Sequence, residues 1–300
     1  QVDFLRLHPL SFGEFLDAMG EEDLRRLARQ GQTGVIRMVK EKYISLLRQY
    51  MYVGGMPEAV AHYAEERDLP QVRKIQNQIL EGYSQDFAKY TRPGDIPRIS
   101  AAWTSLPSQL ARENRKFTYK NIAQGARARE YESAIEWLVL CGLVHRVRRI
   151  SNPAHPISSY ADASAFKLYM IDVGLLGAAA RLDAATLLTG AGVFEEFKGA
   201  LTEQYVLQQL LTQPDMDIAY WTATNGTAEV DFVIQTHNEI IPVEVKATTN
   251  LRARSLASYR QRYEPAKAFR LSLADWEING GLCNIPLYLA DCLDALWDKL

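Results

Sequence analysis

The chain has 300 residues, 47% of them hydrophobic, and a formal net charge of −2. That is enough apolar material for a large core, over a length suited to two or three domains. Near-neutrality excludes a globally basic nucleic-acid binder, so any such contact has to come from a local patch. Cys141, Cys283 and Cys292 lack C-x-x-C spacing, which fits neither a disulfide framework nor a zinc site; they read as small buried apolar residues. There is no apolar run of bilayer length and no charged-then-apolar leader, so the expectation is a cytoplasmic protein with no membrane partner.

Val2 to Leu7 reads as a short extended piece, followed by a helix that Ser11 caps while Glu14 reaches back, with Leu10 and Phe15 as an apolar staple. From Glu21 to Tyr90 the pattern is helical. One helix is expected over Val35 to Tyr52, with Ile36, Val39, Tyr43, Leu46, Leu47 and Tyr50 as its stripe and Gly54-Gly55 as its stop. Another is expected over Leu69 to Tyr90, before a hinge at Arg92-Pro93-Gly94-Asp95. No G-x-x-x-x-G-K-[ST] occurs, and Gly190-Ala191-Gly192 lacks the lysine and hydroxyl that grip phosphate, so this chain is not expected to bind ATP itself.

Ile96 to Asp172 has the element order of a winged helix-turn-helix. A first helix runs to Arg112, and a second is announced by Thr118 with Phe117 and Ile122. The third, Ala128 to Cys141, carries Tyr131, Ala134, Ile135, Leu138 and Cys141 on one stripe. A strand from Leu143 to Ile150, a wing over Ser151 to Pro156 and a returning strand from Phe166 to Ile171 complete it. Lys120, Arg127, Arg129, Arg146, Arg148 and Arg149 are its candidate DNA phosphate contacts. Glu130, Glu132 and Glu136 on the same helix oppose a polyanion, so the module reads as a DNA binder or as a spacer. His145 and His155 have no partner spacing and read as surface or wing residues rather than metal ligands.

The remaining segment reads as a helix with Phe194, Phe197, Leu201, Tyr205 and Leu210 on its apolar side, three strands, a helix from about Arg252 to Tyr263, and further strands. After a turn at Asn225-Gly226, Glu229 to Ile234 and Ile240 to Lys246 form a hairpin. Alternation puts Glu229 with Asp231, Glu244 with Lys246, and Val230, Phe232 and Ile234 on the opposite side. An acid, a gap and then Glu-x-Lys can hold a hard divalent cation with an ammonium beside it.

Asp231 with Glu244-Val245-Lys246, preceded by a helix carrying Glu203, resembles the core of the PD-(D/E)xK nuclease-like superfamily, with Val230 where the naming proline stands. Leu10-Ser11-Phe12-Gly13-Glu14-Phe15-Leu16, Gly54-Gly55-Met56-Pro57-Glu58 and Asp172-Val173-Gly174-Leu175 fall in an order similar to the C-terminal part of a prokaryotic AAA+ ATPase family with a nuclease-like domain of unknown function. The resemblance implies a multidomain α plus α/β chain that starts in mid-protein: a helical lid and connector over 1–94, a winged helix over 95–180 and a PD-(D/E)xK nuclease-like domain over 181–300. It implies Asp231, Glu244 and Lys246 as catalytic residues, with Asp231, Glu244 and Glu203 as ligands of Mg²⁺ or Mn²⁺. Lys246 would orient water or stabilise phosphate charge, and Glu229 would be a rim residue beside the turn. ATP would enter only through the chain's own N-terminal ATPase domain, and DNA and further copies of the chain are the implied partners. Arg6, Arg25, Arg26, Arg37 and Lys40 read as solvated helix faces or as nucleotide sensors for a neighbouring subunit. The rival reading keeps the fold and makes the acids and the lysine a salt-bridged cluster in a recognition or assembly module.

Overall fold

The computed structural model describes residues 6–112, 115–185, 195–223, 226, 228–249 and 253–300. The expectations for Val2 to Leu5, Gly190 to Gly192, Phe194, Asn225 and Arg252 lie outside them.

Local signals set most of the helices. In α1 (Phe12–Ala18) the Ser11 hydroxyl accepts the Glu14 N–H and the Glu14 carboxylate accepts the Ser11 N–H at 2.8 Å, the expected capping box. α2 (Glu22–Gln30) stops at Gly31 in the left-handed region. The helix expected from Val35 to Tyr52 is broken: α3 (Thr33–Met38) and α4 (Lys40–Val53) meet at Val39, which leaves helical geometry. Arg37 and Lys40, on either side of the break, converge on Asp275 at 3.0 and 2.6 Å. α4 ends at Gly54, and α5 (Pro57–Glu66) starts on Pro57. α6 (Leu69–Tyr90) has the expected bounds, with Asp68 accepting the Gln71 N–H at 3.1 Å.

After a turn at Arg92 to Asp95, α7 (Ile96–Leu110) and α8 (Ala128–Leu140) form, but the helix expected between them is only a 3-10 turn at Tyr119–Asn121. The Thr118 hydroxyl bonds back to the Lys116 carbonyl instead of capping, and Gln109 clamps the backbone N–H and C=O of Thr118 at 3.0 and 3.1 Å. Cys141 falls beyond the end of α8 and is exposed, correcting its expected burial, whereas Cys283 and Cys292 are buried. β1 (Val144–Ile150) and β2 (Ala161–Met170) pair antiparallel. α9 (Val173–Ala179) follows Asp172, which caps it.

The last third runs α10 (Glu195–Leu210), β3 (Asp217–Thr222), β4 (Glu229–Thr236), β5 (Glu239–Val245), α11 (Arg254–Tyr263), β6 (Ala268–Ser272), β7 (Glu277–Asn279) and β8 (Leu282–Pro286), ending in 3-10 turns. This keeps the expected order of helix, three strands, helix, strand and adds β7. Its neighbourhood differs, however. β1 pairs in parallel with β3, so β2 and β1 extend one eight-stranded mixed sheet, ordered β2-β1-β3-β4-β5-β6-β8-β7. The strands expected to flank the wing of a separate module are thus continuous with the sheet that carries the acids, and the expected boundary at 180 falls inside this shared packing.

A single hydrophobic cluster runs from Phe12 and Tyr50 in the helical region through Tyr169 to Tyr205, Ile241 and Tyr288. A smaller one, with Trp221, Val233, Leu256 and Tyr259, fills the other side of the sheet under α11. The three sequence motifs quoted above meet at a buried joint. The Asp172 carboxylate accepts the Gly55 N–H at 2.6 Å and Gln208 Nε2 at 3.1 Å, and the N–H of Leu10 donates to the Gly55 carbonyl at 2.7 Å. Gln209 from α10 accepts the Phe12 N–H at 2.8 Å. Every buried backbone donor or acceptor at such a joint needs a partner, which is the reason for the row of glutamines on α10.

Candidate active site

A bulge in β4 shapes the site. Ala219 pairs with Val233 and Trp221 with Val230, so Asp231 and Phe232 together oppose Tyr220 alone. Strict alternation is lost, and the expected face of Val230, Phe232 and Ile234 is corrected. Val230 joins Val233 in the cluster under α11, while Phe232 and Ile234 join the main core. The β4–β5 ladder ends at Phe232 opposite Val243. Beyond it the Val245 N–H, between Glu244 and Lys246, donates to the Asp231 carboxylate at 2.8 Å. The bulge therefore brings Asp231 against Glu244-Val245-Lys246 at the end of β5.

Glu244 is 5% exposed, and Lys246 Nζ lies 2.6 Å from its Oε1. Glu244 Oε2 is buried without a hydrogen-bond partner. Glu203, 3% exposed on α10, approaches the same place; its Oε2 accepts the Tyr169 hydroxyl at 3.1 Å, and its Oε1 pairs with Arg115. Lys167 on β2 has no exposed surface at all and lies 2.6 Å from Glu229 and 3.8 Å from Glu203, over the Tyr220 ring. Glu229, expected as a rim residue, is thus an ion-pair partner inside the cluster. Arg115 and Lys167 were missed from sequence. The signal for Lys167 was available: a lone charge within the apolar run from Ala165 to Met170.

Burial, then the nearby Glu203 and Glu244 carboxylates, push the Asp231 carboxyl well above its ordinary range, with Lys167 opposing. A hydrogen bond between the two carboxyls, which needs a proton, raises Asp231 and lowers Glu203. Burial also penalises the Glu203 charge, but Lys167 and Arg115 outweigh it and hold that carboxyl low. Glu244 is raised by burial against the pull of Lys246. For Lys246 burial opposes the charge, yet Glu244 and then Asp231 keep it above the usual lysine value, so it is a cation and not a proton acceptor at neutral pH.

As a cation site the donor set is hard oxygen, with one orphaned carboxylate oxygen on Glu244. Asp231 has one oxygen committed to backbone, and Glu203 is held by cations. Among the described residues no three acids, histidines or cysteines converge as a ready-made ligand set. The fit is that of two carboxylates, Asp231 and Glu244, with Glu203 adjacent but engaged.

The six candidate DNA contacts divide into two groups. Lys120, Arg127, Arg129 and Arg148 are exposed. Arg146 pairs with Glu136 at 2.8 Å and lies over the Phe166 ring, and Arg149 pairs with Asp162. In the helical region Arg25, Arg26, Arg37 and Lys40 all sit in ion pairs, with Asp17, Asp23 and Asp275, as helix-face residues do. His145 is half-buried in β1, and burial, then His8, depress it to about 4.

Residues 198–288 match a family model described as a domain of unknown function, DUF4143. Residues 44–186 match a second one, DUF8612. No curated protein and no solved structure matches the chain. The first matched segment ends after α9 and the second begins inside α10, although β1 and β2 from the first share the sheet of the second. No helix among the described residues is long and apolar enough to cross a membrane.

Proposed function

We propose that the acid cluster at the start of β4 and the end of β5 is a divalent-metal site of the PD-(D/E)xK kind that hydrolyses nucleic-acid phosphodiesters, in the C-terminal part of a AAA+ ATPase. The observation that carries this reading is the bulge that seats Asp231 on the Val245 N–H, between Glu244 and Lys246. The motif order and the DUF4143 match support it. Asp231 and Glu244 would hold Mg²⁺ or Mn²⁺, which when bound polarises a phosphate and acidifies water. Lys246, partly exposed and cationic, is the residue that can meet a phosphate oxygen. Lys120, Arg127, Arg129 and Arg148 supply exposed charge for a nucleic-acid backbone.

A second reading, a catalytically inert cluster in a recognition or assembly module, is favoured by one feature: Glu203 and Glu229 already have buried cationic partners in Arg115 and Lys167. Titration of Mn²⁺ separates the two. The metal reading expects one weak site that Asp231→Ala and Glu244→Ala each abolish. Identical isotherms for wild type and both variants would rule it out and leave the inert cluster.

A further inference from the structure

The acid cluster contains a cation that reaches it from the segment between α7 and α8. Arg115 sits there with its backbone in the left-handed region, at φ 46. That conformation is uncommon for a side chain larger than glycine and is held here by its surroundings. Two residues on, the Phe117 N–H donates to the Phe166 carbonyl at 2.9 Å and the two rings stack at 5.5 Å. Phe166 precedes Lys167, so this contact delivers a guanidinium and an ammonium to Glu203 from two segments held side by side.

The two cations are not held alike. Lys167 has no exposed surface and lies within ion-pair distance of two carboxylates. Each leaves a buried nitrogen, Arg115 Nε and Lys167 Nζ, outside hydrogen-bond geometry, so what separates them is exposure: the Arg115 side chain is 16% exposed. A guanidinium with five donors leaves much of its capacity unused in such a place. Charge points the same way. Glu203, Glu229, Asp231 and Glu244 face Arg115, Lys167 and Lys246; without Arg115, and with Asp231 giving up its proton as a ligand must, the remaining groups carry a net charge that one divalent cation neutralises.

We propose that Arg115 is a displaceable counter-ion. It occupies Glu203 in the metal-free protein, competes with a divalent cation for the cluster, and swings out when the cation binds, freeing Glu203 to become a ligand. This rests on the metal reading above. Arg115 is a positioning residue in this scheme, acting through Glu203.

The full chain offers two independent ways to weaken the contact. Arg115→Gln removes the charge. Gly199→Ala on α10 leaves the charge in place but puts a Cβ 2.6 Å from an Arg115 Nη, forcing the guanidinium to shift. Mn²⁺ affinity, read from the free-ion signal in electron paramagnetic resonance, is expected to tighten about tenfold or more in Arg115→Gln, the scale of a close charge pair. It should also tighten in Gly199→Ala and stay near wild type in Arg115→Lys. Unchanged or weaker binding in both Arg115→Gln and Gly199→Ala, with Asp231→Ala abolishing binding, overturns the counter-ion role and leaves the metal site standing. No binding in any of these proteins overturns both.

Discussion

Asp231→Asn gives the sharpest stability test of the cluster. In the metal-free protein at pH 7 Asp231 must either ionise beside Glu203 and Glu244 or carry a proton. Like charges about 4 Å apart repel by about 4 kcal/mol at an effective dielectric of 20. Holding a proton at pH 7 on a group whose unfolded pKa is near 3.9 costs about 4 kcal/mol as well, so the penalty is capped at that level by either route. Asparagine is a permanent stand-in for the protonated form. Its carbonyl keeps the Val245 N–H bond and its amide can donate to Glu203. Part of the gain is lost with the attraction of Lys167, leaving a net stabilisation of about 1–3 kcal/mol at pH 7. For a raised carboxyl the contribution to stability is fully present below the unfolded pKa and is lost as pH rises through the folded one. The advantage of Asn should therefore be absent near pH 4 and grow towards neutrality. Urea unfolding in EDTA at pH 4, 5.5 and 7 measures it. A variant less stable than wild type at pH 7, or a gain that does not change with pH, would refute the shared-proton geometry.

Charge reversal at Lys120, Arg127, Arg129 and Arg148 is expected to abolish a low-salt shift of duplex DNA; a shift that survives all four places the contact elsewhere. Gly54→Ala should cost about 3 kcal/mol or more in thermal or urea unfolding, since φ is 75 and the new Cβ would lie 2.2 Å from an Asp172 oxygen; near-wild-type stability would contradict the buried joint. His145 should titrate near 4 by NMR. Its neutral form then contributes stability that is full above pH 6.5 and lost as pH falls towards 4, by up to about 3 kcal/mol before solvent screening. A measured value at or above 6.5 would sink that reading.

Local chemistry was legible in the sequence. The Ser11–Glu14 box, the span of α6 and the strand order around Asp231 all follow from caps and periodicity within a few residues. What the sequence hid is non-local. The parallel pairing of β1 with β3 joins residues about seventy positions apart, and nothing in Val144 to Ile150 distinguishes a free wing from a sheet strand. The second helix of the expected winged module failed because Gln109, on another helix, captured the backbone of Thr118. The bulge escaped for a related reason: alternation assumes a regular ladder, and two residues opposing Tyr220 reset it. Asp231, Glu244 and Lys246 were identified by spacing and are brought together. Glu203 joins them, but paired with Arg115, whose approach depends on the tertiary contact of Phe117 with Phe166.

The central claim is metal-dependent phosphodiester hydrolysis at Asp231, Glu244 and Lys246, and strand scission tests it most directly. Single-stranded, duplex and branched DNA would be incubated with the chain alone and with the chain in the longer ATPase-bearing protein proposed above, with ATP and with Mg²⁺ or Mn²⁺, beside Asp231→Ala and Lys246→Ala. The account predicts cleavage that chelator and Asp231→Ala abolish and that Lys246→Ala lowers by about a hundredfold or more. Activity from the chain alone should be weak if, as proposed, an ATPase loads and orients the substrate. Failure of the longer protein to cut any DNA or RNA form, or cleavage that persists in both variants, would contradict the account.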